Sequence, residues 1–99
     1  MSQRFNTAAR IAILYRHARF DYDEAVRYHD TIVPAAQELL ESSLAAYRRH
    51  GEDFAELAHV RERLRDARSS YLQAVARLLQ DRVALEQEIG EPLSSLPAR

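Results

Sequence analysis

Apolar residues return at every seventh position along nearly the whole chain, in two separate runs. In the first, from about Phe5 to Arg49, the residues seven apart are Ile11, Ala18, Ala25, Ile32, Leu39 and Ala46. Leu14, Tyr15, Tyr22, Tyr28, Ala35 and Ala36 thicken that stripe. In the second, from about Asp53 to Ile89, the repeat is Leu57, Leu64, Tyr71, Leu78 and Leu85, with Val60, Ala67 and Ala74 three residues after its first three members. On a straight α-helix such a repeat drifts around the surface. It stays on one seam only if two helices wind about each other as a left-handed coiled coil. The pattern predicts an all-α fold, a long antiparallel coiled-coil helical hairpin. Its first helix spans about 5–49, its turn 50–52, its second helix about 53–89, and a flexible tail covers 90–99.

Folding the two runs antiparallel sets Ala46 opposite Leu57, Leu39 opposite Leu64, Ile32 opposite Tyr71, Ala25 opposite Leu78 and Ala18 opposite Leu85. All these pairs centre between Gly51 and Glu52, where local chemistry also favours a reversal. Glycine takes the left-handed backbone that ends a helix, and Arg48 and Arg49 bring positive charge to that helix's negative end. Asp53 is suited to cap the next helix, and Glu56 three residues on completes a capping-box pattern. Gly90 and Pro92 stop the second helix. Pro34 is the awkward residue, because inside a helix it removes one hydrogen bond and its ring collides with the preceding turn, at about 3 kcal/mol. The repeat passes from Ala25 through Ile32 to Leu39 without a change of phase, so a continuous helix kinked near Pro34 is expected rather than two helices. Beside the main seam, Leu72, Val75, Leu79 and Val83 form another apolar strip, and a helix with two strips calls for two neighbours.

Composition narrows the function classes. A formal net charge of −1 gives no electrostatic case for nucleic acid. Without cysteine there is neither a disulfide nor a thiolate metal site. The early apolar stretch Ile11–Tyr15 is too short for a signal peptide, and no run is long enough to cross a bilayer, so the chain as written is expected in the cytoplasm. No two of His17, His29, His50 and His59 stand three or four apart, so they are expected to be solvated and no metal is called for. His50 and His59, nearest the turn, are the pair a metal would use. Asp21, Asp23 and Glu24 cluster in sequence, but Asp23 and Arg27 have the spacing of an exposed ion pair rather than of a catalytic carboxylate dyad. The cluster Arg61, Arg63, Arg65 and Arg68 alternates with Glu62 and Asp66 as on a solvated helix face. No nucleophile triad, phosphate loop or zinc motif is present, and neither enzymatic activity nor a cofactor is expected.

From Ile32 to Gly90 the chain resembles the C-terminal helical hairpin of TolC-like outer-membrane efflux proteins, most closely the branch serving heavy-metal efflux pumps. The matching positions are Pro34, Ala35, Tyr47, Gly51, Phe54, Leu57, Leu64, Tyr71, Ala74, Leu85, Glu86 and Gly90. The segment Ile11–Asp30 fits the start of the same long helix. The chain departs from the family at AHVRE, residues 58–62, where the family usually carries Asp-Ala-Gln after the turn. The resemblance covers most of this chain but only the last quarter or so of a typical family member. It implies a periplasmic α-barrel built by three chains beneath an outer-membrane β-barrel, through which metal ions or drugs are exported, and hence a location at the outer membrane and periplasm. It also implies docking of the hairpin tip to a periplasmic adaptor protein, with Tyr47, Arg48, Gly51, Glu52, Asp53, Phe54 and Leu57 as the adaptor-facing residues and Arg49 flanking them. The helix–helix seam would be Ile32, Leu39, Leu64, Tyr71, Leu78 and Leu85. A second expectation stands beside it: a freestanding hairpin that dimerises into a four-helix bundle as a protein-interaction module.

Overall fold

The computed structural model of the chain describes residues 2–51 and 53–90, with side chains from residue 6 onward. The expected tail after Gly90 and the tip residue Glu52 lie outside the described residues. Helix α1 spans Ser2–Arg27, a short π-helical turn follows over Tyr28–Ile32, α2 spans Val33–His50 and α3 spans Phe54–Ile89. There is no strand among the described residues. The first three elements form one continuous rod, with Arg27, Ile32 and Val33 all in right-handed helical geometry. That rod packs antiparallel against α3. Arg10 meets Glu88, Asp21 meets Arg77, and the rings of His29 and Tyr71 lie 5.6 Å apart. At the turn, Tyr47 meets Phe54. As numbers rise on one rod, they fall on the other. At 1.5 Å per residue, α3 is about 54 Å long.

Pro34 explains the π turn. In a regular α-helix its missing N–H leaves one carbonyl without a donor, and its ring strikes the carbonyl four residues back. Here the Val33 N–H donates to the Tyr28 carbonyl, five residues back, so the helix widens just ahead of the proline. Pro34 then sits in the first turn of α2, where a missing N–H costs little.

A single wide turn adds one residue to the rod and moves its seam. Up to the end of the wide turn, the positions Thr7, Ile11, Leu14, Ala18, Asp21, Ala25, Tyr28 and Ile32 are covered in alternating steps of four and three, with Glu24 covered beside them. After it Ala36, Leu40, Ser43 and Tyr47 are all covered, one residue later than an unbroken repeat gives, while Ala35, Leu39 and Ser42 of that repeat are exposed and Ala46 alone stays covered. The unbroken phase from Ala25 to Leu39 is thereby corrected. Leu39 is 41% exposed, and Leu40 takes its place against α3. Leu64 and Leu85 are buried, and Ile32, Tyr71 and Leu78 are half-buried.

Candidate functional site

The tip begins where α2 runs out of helix. Gly51 adopts φ 65°, and its N–H closes onto the Tyr47 carbonyl at 2.6 Å. Arg48, Arg49 and His50 occupy the last turn of α2, where positive charge faces the carbonyl end of the helix dipole. Asp53 also takes a left-handed backbone, φ 64°, which aspartate tolerates better than most residues. Its Oδ1 accepts the Glu56 N–H at 3.1 Å, so the Asp53 half of the expected cap is in place.

Across the turn, the rings of Tyr47 and Phe54 meet edge to face, with centroids 6.1 Å apart. An open groove beside them is bounded by Tyr47, His50, Asp53 and Glu56. The expected tip residues divide accordingly. Phe54 is 63% exposed, Arg48, Gly51 and Asp53 are exposed, and Tyr47 is half-buried. Leu57 is expected both in the seam opposite Ala46 and at the adaptor-facing tip, and its burial corrects the tip assignment. At 3% exposure it is core, because it is the first seam residue of α3 and points at the other rod. It braces the tip rather than presenting itself there. Among the described residues, no group of three or more His, Asp or Glu side chains is placed to hold a metal ion, and His50 and His59 are both exposed.

Away from the tip, the two broad faces of the hairpin differ. On one lie shallow grooves bounded by Arg10, Ile13 and Gln87, and by His17, Phe20, Arg77 and Gln80. These residues immediately precede seam residues in sequence. Tyr22, Val26, Leu72, Val75 and Leu79 immediately follow seam residues, which turns them to the opposite face of the antiparallel pair. There Leu72 and Leu79 are 65% and 58% exposed, with Tyr22 and Val26 also in solvent. The strip expected from Leu72, Val75, Leu79 and Val83 therefore exists, and α1 extends it with aromatic and aliphatic surface.

Two seam positions carry carboxyls that sequence reasoning missed. Asp21 is buried between Ala18 and Ala25, and Asp81 lies between Leu78 and Leu85 on α3. The signal was present, since counting seven from Ala67 and Ala74 lands on Asp81. The two carboxyls meet across the seam. Burial first, then the hydrogen bond to Asp21 and its negative charge, push the Asp81 carboxyl up to about 6, against the opposing influence of His17 and Arg77. Arg77 Nε stands 3.5 Å from Asp21 Oδ1. The expected Asp23–Arg27 pair is replaced by two others. Arg27 bonds Glu24 at 2.6 Å, and Asp23 faces Arg19 at 3.6 Å, because both alternatives lie equally well one helical turn away.

No described helix is long and apolar enough to cross a membrane. Comparison of the chain with known families, with curated proteins and with solved structures gave no match.

Proposed function

We propose that this hairpin is a non-catalytic assembly element of a TolC-like efflux conduit, with its tip as the docking point for a periplasmic adaptor. The observation that carries the proposal is the tip itself. Gly51 reverses the chain at the position the resemblance assigns to it, and beside it Phe54 stands in solvent, propped by Tyr47. An exposed aromatic anchor with arginines at its rim is the kind of feature on which protein contacts concentrate. The exported substrate class, metal ions or drugs, rests on the resemblance alone. The test is made in a full-length channel of the family carrying this hairpin. Tyr47→Ala and Phe54→Ala are expected to abolish adaptor crosslinking and export while helicity by circular dichroism stays unchanged. Normal export by both variants defeats the docking assignment.

A second reading is favoured by the exposed strip of Leu72 and Leu79. In it, two copies of the hairpin pack these faces together as a four-helix bundle. It predicts a discrete dimer in solution, and a monomer at every concentration removes it.

A further inference from the structure

At one level of the seam, two acids face each other between the rods. Asp21 is 8% exposed, among the most covered residues of the chain, and Oδ2 of Asp81 is buried with no hydrogen-bond partner among the described residues. Two carboxylates in contact within a packed seam repel each other, and the Oδ2 of Asp81 is shut off from water, so a proton on Asp81 is favoured. The groups facing the pair are His17 from α1 and Arg77 from α3, and together with Phe20 and Gln80 they bound a groove open to solvent. Protons can therefore reach the pair without the helices separating. Arg77 serves Asp21 on that side, while the buried Oδ2 of Asp81 accepts a hydrogen bond from neither cationic side chain.

We infer that Asp21 and Asp81 form a proton-binding switch within the seam, which clamps the open end of the hairpin when it holds a proton and loosens it when that proton leaves. The pair lies about 40 Å along α3 from the turn, so the tip remains closed in either state. The direction follows from linkage. Asp81 is harder to deprotonate in the folded hairpin than an unperturbed aspartate, with a midpoint of about 6 against 3.8. Its stabilising contribution is complete below the unfolded value and is lost as pH rises through the folded one. The hairpin is thus firmer in mild acid than at neutral pH, the reverse of a structure held by ordinary surface carboxylate pairs.

The inference is independent of the docking proposal and is tested on the whole chain alone. Thermal unfolding of the native protein is expected at a temperature about 5 °C or more higher near pH 5 than near pH 7.5. Asp81→Asn, which mimics the protonated acid, is expected to remove that difference and to match the native protein's acid value at both pH values. His17→Gln is expected to keep the difference. Carboxyl-carbon NMR of the native protein is expected to place the Asp81 midpoint at about 6, a readout that needs no variant to fold. The switch is overturned if Asp81 titrates in the ordinary carboxylate range. It is equally overturned if Asp81→Asn retains the native pH slope, or if His17→Gln abolishes it.

Discussion

Asp53 combines two local demands that few side chains meet together. Its backbone is left-handed at φ 64° and ψ 54°, and its carboxylate caps the first turn of α3 through the Glu56 N–H. Alanine fails on both counts, losing a cap worth about 1 kcal/mol and keeping the left-handed backbone without the short polar side chain that eases it, at about 1 kcal/mol more. Asparagine tolerates the same backbone and keeps an acceptor oxygen. At Gly51 the space for a methyl group is open, since a Cβ there would meet nothing within 4 Å, so Gly51→Ala costs only backbone strain. Urea unfolding followed by circular dichroism is expected to rank the native protein and Asp53→Asn together, Gly51→Ala about 1 kcal/mol lower and Asp53→Ala about 2 kcal/mol lower. Equal stability of Asp53→Ala and Asp53→Asn would show that the cap and the left-handed backbone contribute nothing.

At the scale of elements, the π turn decides which face of α2 meets α3. The phase shift makes adjacent leucines unequal. Leu40→Ala removes a half-buried side chain from the seam and is expected to cost about 1–2 kcal/mol, below the range for fully buried leucines. Leu39→Ala, at an exposed position, is expected to change stability by no more than about 0.5 kcal/mol. The reverse order would mean that the seam runs through Leu39 and that the helix has no extra residue. The contrast between the two rods also marks what could be seen in sequence. In α3 every seam position from Leu57 to Leu85 follows the repeat, so helix, phase and partner face were all legible. In the first rod, Ile32–Val33, Ala35–Ala36 and Leu39–Leu40 are apolar doublets that satisfy both phases equally. A one-residue slip leaves no trace in such a pattern, and only Pro34 hints at it. The turn was legible because glycine, arginines and a capping acid each act locally. The meeting of Asp21 with Asp81 depends on contacts between helices far apart in sequence, which a search for local clusters does not see.

For the whole molecule, the question is what covers the second face. The buried apolar residues among those described are Ala25, Leu57, Val60, Leu64, Ala67, Ala74 and Leu85, three of them alanines. A fully buried Leu or Val contributes about 1.5–3 kcal/mol, while ordering each residue costs about 1–2 kcal/mol, and a seam this sparse leaves the rods dependent on neighbours. The strip of Tyr22, Val26, Leu72 and Leu79 is where neighbouring helices have most to bury, and it lies on the face away from the charged grooves. If a second copy supplies those helices, the melting temperature of the native protein rises with concentration, because association binds only the folded form. Leu72→Glu with Leu79→Glu then sets like charges into the contact and is expected to give a monomer whose melting no longer depends on concentration. Gln73→Glu adds the same charge outside the strip and is expected to leave the assembly intact. Sedimentation and melting over a concentration range of about a hundredfold separate the cases. A native protein that sediments as a monomer throughout shows that this face does not meet its own copy, and leaves its cover to helices of a larger assembly, as the efflux proposal requires.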